Sequence, residues 1–424
     1  MMDLCRIRID NFGLIAQSAK GRMTRIELSR PEIDELKHDV PKGLRKWRSL
    51  KPEIAPFFDA SDRLNARIDV ADEPALCLTR PLRIYYNIEP SCNLRCRFCG
   101  PRDLHASSIR ASKEKEDFLL REIAQAGTFQ VQLTGGEIFL RGWPLLKTLE
   151  RTGELGLATL LGTNGVWSHI RHRKAFIRHM AQFRHIIEIK VSVDGNRVFH
   201  DAVRGPGTYD AAVTTLRDLA EAGLTTRINT TIFRDSCTVE QIEHLARLAK
   251  HVNAGLQAIP LRSCGRAEGN SADDPPTPEA LRAYTLRAKE LREELDIPIS
   301  FNFDIFGGGR QLPIYDPARP FSCGAGLWGF AVTHLGEVYP CGFAIEIGKP
   351  SRFLAGTVTS ESELLDIWLH SPILDQWRNA GKSERCRRCE HYRKTCWGGC
   401  MVQAFVCSGS LSAPDPYCLM DPDG

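Results

Sequence analysis

Cys92, Cys96 and Cys99 stand in one short stretch, Glu89-Pro90-Ser91-Cys92-Asn93-Leu94-Arg95-Cys96-Arg97-Phe98-Cys99. The C-x3-C-x2-C spacing puts three thiols on a single loop. Three thiolates can hold three corners of an iron–sulfur cube, whose usual complement is four cysteines. The remaining iron is then open to an outside ligand. Zinc is the rival, because a structural zinc site takes four protein ligands, and His105 is the nearest candidate for the fourth. A second set, Cys323, Cys341, Cys386, Cys389, Cys396, Cys400 and Cys418, crowds the C-terminal part of the chain. Its last stretch contains C-x2-C-x6-C-x3-C, and zinc ribbons share such C-x2-C pairs.

The rest of the chain must position these groups. It has 424 residues, 42% hydrophobic and 25% charged, with a net charge of +4. That is ordinary for a folded protein of two or three domains. No basic run argues for nucleic acid, and no stretch approaches the ~20 apolar residues that span a bilayer. The N-terminus lacks an apolar signal core, so a cytoplasmic protein is expected. Fifteen cysteines, an odd and clustered count, point to metal rather than a disulfide scaffold.

From Arg83 onward short apolar runs alternate with amphipathic segments. Strands are expected at 83–88, 129–134, 157–162, 187–193, 226–232 and 256–261. Helices are expected at 113–125, 143–152, 170–183, 209–222 and 239–251, and at 278–295 with Thr277 as N-cap. This alternation predicts an α/β fold with a parallel sheet and crossover helices. Six units fall short of the eight of a full barrel. Residues 1–78 form a small N-terminal α+β region: two strands around a turn, then a helix with Ser29 as N-cap. Residues 79–311 carry the partial (βα)6 TIM-like barrel, and 312–424 the cysteine-dense remainder.

The cysteine loop, with Phe98 before its last cysteine, resembles the radical S-adenosylmethionine (SAM) superfamily. The resemblance implies that the open iron chelates SAM, and that one electron cleaves SAM to methionine and a 5′-deoxyadenosyl radical. Further motifs follow the expected strands. Gly135-Gly136-Glu137 resembles the family's GGE motif, which binds the methionine amino group. Asn164, Ser192 and Asp194 are similarly placed for the SAM ribose and carboxylate. Arg204, in His200-Asp201-Ala202-Val203-Arg204-Gly205, is placed for the carboxylate. Each has a plainer reading as turn chemistry or, for Arg204, a structural ion pair.

The C-terminal cysteines resemble the SPASM extension of that superfamily, with a gap of six where five is usual. The resemblance implies two auxiliary [4Fe–4S] clusters, three in all. Cys386, Cys389, Cys396 and Cys418 would ligate one, and Cys323, Cys341 and Cys400 the other. Cys407, Asp316 or substrate would complete the latter. Cys5, Cys77, Cys237, Cys264 and Cys407 are left over, and such cysteines are usually buried apolar residues. Cys264, just past the sixth strand, is also a candidate hydrogen-atom donor. Relatives of this type mature ribosomally made peptides by crosslinking, oxidation or epimerisation. A peptide or protein substrate is therefore expected, with flavodoxin or ferredoxin as electron donor. The N-terminal region is either a leader-peptide grip or a barrel cap. A small-molecule dehydrogenase or epimerase is the alternative. A sulfatase maturase is disfavoured, because Gly342 stands where that branch has aspartate.

Overall fold

The computed structural model describes residues 6–10, 13–17, 23–26, 28, 30–40, 42, 44–46, 58, 67–70, 78–100, 109–267, 275–301, 324–346, 352–389, 392, 398–416 and 418. Ser29, His105, Asp316, Cys5, Cys77, Cys323 and Cys396 lie outside them.

Among its described residues the N-terminal region holds four strands, where two were expected: β1 (Arg6–Asp10), β2 (Gly13–Gln17), β3 (Met23–Ile26) and β4 (Arg67–Val70), in the order β3-β2-β1-β4. The helix α1 (Arg30–His38) packs Ile33 and Leu36 against Ile7 and Ile9 of β1. Strand side chains alternate between faces, so Arg6 and Arg8 point the other way. Their guanidinium carbons lie 4.3 and 4.6 Å from the centroid of the Phe129 ring. Arg8 also donates to the carbonyl of Arg80 at 2.8 Å.

Each expected strand from 83 onward exists, shifted by at most a residue. They are β5 (Arg83–Glu89), β6 (Gln130–Gly135), β7 (Ala158–Thr163), β8 (Ile186–Ser192), β9 (Thr226–Ile232) and β10 (Gly255–Pro260). A seventh parallel strand, β11 (Ile299–Phe301), follows. The helices between them are α2 (Lys113–Gln125), α3 (Leu145–Glu154), α4 (Arg173–Met180), α5 (Arg197–Arg204), α6 (Thr208–Glu221), α7 (Val239–His251) and α8 (Pro278–Glu294). Thr277 caps α8 by accepting from the Ala280 N–H at 3.3 Å.

The parallel strands lie in sequence order across the sheet. Right-handed crossovers with that order place every helix on one face, which leaves the other face bare. Burial follows. Along β9 residues alternate buried and half-buried, and β8 and β10 show the same tendency. The buried set, such as Ile189, Val191, Ile228 and Leu256, joins the core beneath the helices. The half-buried set lines the inside of a partial barrel.

The sheet does not stop at the expected sixth strand on either side. The strand β12 (Gly329–Thr333), from the cysteine-dense segment, pairs in parallel with β5. The strands β13 (Glu337–Tyr339) and β14 (Gly356–Thr357) extend it antiparallel. The result is one ten-stranded sheet. Four short helices complete the described fold: α9 (Glu363–His370), α10 (Pro372–Asn379), α11 (Glu384–Arg388) and α12 (Met401–Ser408). No helix among the described residues is long and apolar enough to cross a membrane.

Candidate functional site

The cysteine loop leaves the end of β5, and Glu89 anchors it. This wholly buried carboxylate accepts from the Ser91 N–H at 3.1 Å, Arg110 Nε at 3.0 Å and Arg141 Nε at 3.1 Å. The end of β6 is laid against the same loop. Gly136 N–H donates to the Glu89 carbonyl at 2.6 Å and Glu137 N–H to the Ser91 carbonyl at 2.8 Å. A Cβ on Gly136 would lie 2.1 Å from Ser91 O, so only glycine permits that approach. On the far side the turn after β10 closes in. Arg266 donates from its backbone N–H to Cys99 O, and from Nη1 to Cys96 O, both at 3.1 Å.

Burial pushes the Cys92 thiol up to about 11 and the Cys99 thiol up to about 12, and raises that of Cys96. Bare thiols in this pocket therefore stay protonated. N–H groups nevertheless point at the sulfurs. Leu94 N–H reaches Cys92 Sγ at 3.4 Å and Asn164 Nδ2 reaches it at 3.8 Å. Arg204 Nη1 lies 3.9 Å from Cys96 Sγ. Donors aimed at buried sulfur suit thiolates held by a cationic cluster. Among the described residues no three His, Cys, Asp or Glu side chains converge as one metal ion would require.

Glu137 is fully buried. It accepts from Phe139 N–H at 3.1 Å, Thr163 Oγ1 at 2.8 Å and Asn164 N–H at 2.6 Å. Burial pushes its carboxyl up to about 7, against the pull of those donors. Asn164 is held in turn: its Nδ2 donates to Asn93 Oδ1 and its Oδ1 accepts from Val166 N–H, both at 2.8 Å. Thus Gly135, Gly136, Glu137 and Asn164 gather around the cysteine loop.

Asp194 sits differently from the sequence expectation. Ser192 is half-buried, whereas Asp194 is wholly buried, so the two do not share one open face. Asp194 Oδ2 accepts from Arg204 Nε at 2.6 Å and Oδ1 from Thr231 N–H at 2.7 Å. Its own N–H donates to His200 Nδ1 at 3.0 Å. Both carboxylate oxygens are taken up by the protein, so Asp194 holds Arg204 rather than presenting itself to a nucleotide. Arg204 stands 5.1 Å over the Phe98 ring, which meets Phe233 edge-on at 4.9 Å. The Asp194 and Cys96 partners push the arginine's pKa up despite its burial.

Cys264 is 3% exposed, and its sulfur lies 3.7 Å from where a Cβ on Gly100 would stand. It packs against the Gly100 end of the cluster loop. Cys237 is buried in the helix-side core. Of the described C-terminal cysteines, Cys341, Cys386, Cys389, Cys400 and Cys418 are half-buried, and Cys407 is exposed. Ser383 caps the turn carrying Cys386, whose N–H reaches Ser383 Oγ at 3.4 Å. Sequence reasoning missed Asp415. Its Oδ2 accepts from Cys400 N–H at 2.7 Å and its carbonyl from Cys418 N–H at 3.0 Å, tying those two cysteine segments together. It also missed Glu89, whose signal was only its place before the loop.

A parallel half-barrel whose strand ends gather three thiols, a buried glutamate and an arginine–aspartate pair defines a class: the radical SAM enzymes. The radical SAM superfamily profile matches residues 86–249, and that of an iron–sulfur cluster-binding domain, SPASM, matches 323–390. The mycofactocin maturase MftC of Mycolicibacterium smegmatis is 30% identical over 353 residues, covering 81% of this chain and 83% of that one. The PqqA peptide cyclase of Bradyrhizobium diazoefficiens is 26% identical over 350 residues, 81% and 87% of the two chains. Streptococcus suis SuiB bound to S-adenosylmethionine shares the fold, with a TM-score of 0.70 at 18% identity over 99% of this chain and 100% of that one. The chain belongs to the radical SAM family with a SPASM extension. It is an enzyme that uses SAM and [4Fe–4S] clusters.

Proposed function

We propose that this enzyme modifies a ribosomally made peptide by abstracting a hydrogen atom from it. Cys92, Cys96 and Cys99 would hold the SAM-binding cluster, with the Gly135-Gly136-Glu137 turn, its carboxylate bonded by Phe139, Thr163 and Asn164, beside the methionine end. Ser192 and Asn164 would approach the ribose and carboxylate. Arg204, fixed by Asp194 and stacked on Phe98, would set the charge beside Cys96. When bound, the cluster and SAM supply the radical. The chain's own residues bind, orient and shield it. The C-terminal cysteines would hold two further clusters in the ligand sets expected above. A small electron-transfer protein of the flavodoxin or ferredoxin type would supply the electron.

The observation that carries this reading is the wedge formed at the strand ends. The cysteine loop is clamped between Gly136-Glu137 on one side and Arg266 on the other, with Arg204 beside Cys96. The relatives at 26–30% identity, named for a mycofactocin maturase and a PqqA peptide cyclase, support the peptide assignment. Gly342 after Cys341 weighs against sulfatase maturation. The test is anaerobic reconstitution with a strong reductant and SAM. Formation of 5′-deoxyadenosine, and a change in mass of a short peptide encoded beside the gene, is the expected result. SAM left intact, with clusters assembled, overturns it.

A further inference from the structure

The bare inner face of the half-barrel is lined by charge. Along β8 the inward residues are Glu188, Lys190 and Ser192, all half-buried. Lys190 therefore stands one inward position, about 7 Å, below Ser192 and the strand-end site. Its Nζ donates to Gln257 Oε1 at 3.0 Å and lies 3.9 Å from Glu188 Oε1. Arg227 Nε, on the neighbouring β9, donates to Glu188 Oε2 at 2.8 Å. Arg83, only 4% exposed, meets the neutral Gln130 through Nε at 2.9 Å.

Among the described residues, three cations thus share one carboxylate inside the barrel. Burial pushes the Lys190 amine down to about 8 against the opposing pull of Glu188, and Arg83 and Arg227 add to the lowering. Enclosed charge without a counter-charge is costly. The open inner face lets an outside group supply that counter-charge directly beneath the place where the radical forms.

We propose that the interior of the barrel selects a substrate carboxylate, with Lys190 and Arg227 as its specificity-determining contacts and Arg83 reinforcing them. This rests on the radical SAM reading above and names the substrate chemistry: a peptide segment whose carboxylate, terminal or side-chain, enters the barrel. Planar guanidinium and ammonium donors bind carboxylate strongly and its neutral amide poorly.

The test uses two matched probe pairs, titrated calorimetrically into the full, cluster-reconstituted chain with and without SAM. N-acetylglycine against N-acetylglycinamide reads a terminal carboxylate. N-acetylglutamate methylamide against N-acetylglutamine methylamide reads a side-chain carboxylate. The carboxylate of one pair is expected to bind roughly tenfold tighter than its amide. Lys190→Met and Arg227→Gln should each erase that preference and Lys190→Arg should keep it, with SAM affinity and far-ultraviolet circular dichroism retained. No preference in either pair, including no binding at all, overturns the proposal. So does a preference that survives both Lys190→Met and Arg227→Gln. Failure to bind SAM would instead defeat the radical SAM reading, and the SAM-free titration still decides the carboxylate question.

Discussion

Arg204 combines three contacts that few side chains can make at once: a bond from Nε to Asp194, a stacking position over Phe98, and an Nη1 beside Cys96. Lysine keeps the charge but has neither the plane nor the fork. Arg204→Lys should weaken SAM binding roughly tenfold, the worth of a hydrogen bond to a charged group, and shift the EPR signal of the SAM-bound cluster. Equilibrium binding and EPR on the reconstituted protein check both. His200 gives a second prediction. Burial pushes its imidazole down from 6.5 to about 4, and neutral Nδ1 accepts the Asp194 N–H. Below pH 6.5 the unfolded chain takes up a proton that the folded one refuses. The stability is thus present above about 6.5 and lost as pH falls toward about 4, at most roughly 3 kcal/mol. The melting temperature of the native protein should therefore lose its lead over His200→Gln across that window. The opposing titration of Glu137 is common to both and cancels. At this scale the cysteines were legible because their chemistry fixes residue type at short local spacing. The inward turn of Asp194 was not, because it depends on Thr231, 37 residues away.

The strand ends work only because backbones nearly touch. A Cβ on Gly135 would stand 2.2 Å from Glu89 O, and one on Gly265 would stand 2.0 Å from Gly100 O. Gly136→Ala should push the cysteine loop off β6. We expect loss of the iron and sulfide of one cluster, with the auxiliary clusters and far-ultraviolet circular dichroism retained. Iron and sulfide assays per chain, with EPR, decide it. The parallel strands from 83 to 260 were readable because each is an apolar run bounded by helix signals. The short β11, and β12 among its turns, carry too few residues to show a period. The helix α5 was missed for the same reason, although Asn196 caps it by accepting from the Phe199 N–H at 3.0 Å. The charges of β8 were visible as alternating Glu188 and Lys190, but not that their neighbours left them facing an open interior.

For the whole molecule, the boundary expected at 311/312 cuts a sheet that runs on through it. Phe330 of β12 stacks on Trp368 at 5.3 Å, and the Trp368 indole N–H donates to Leu78 O at 2.8 Å. Glu122 of α2, buried, accepts from Ser362 N–H at 3.0 Å and Leu364 N–H at 3.3 Å at the start of α9. A fragment spanning 79–311 would expose the edge of β5 and the apolar surface under Trp368. Such edges template aggregation. The fragment is expected to elute as aggregate on size exclusion and to lack near-ultraviolet circular dichroism, whereas the full chain is monodisperse. That pairing also sets a timetable. The strand that launches the cysteine loop is made before the other strands of the half-barrel, and its β12 neighbour only after them. Until then the half-barrel is open along one side, and contacts so distant in sequence form slowly. Metallocentre insertion at the loop is thereby best deferred until β12 has docked on β5, so that the nascent enzyme carries no redox-active iron while its flank is still unzipped.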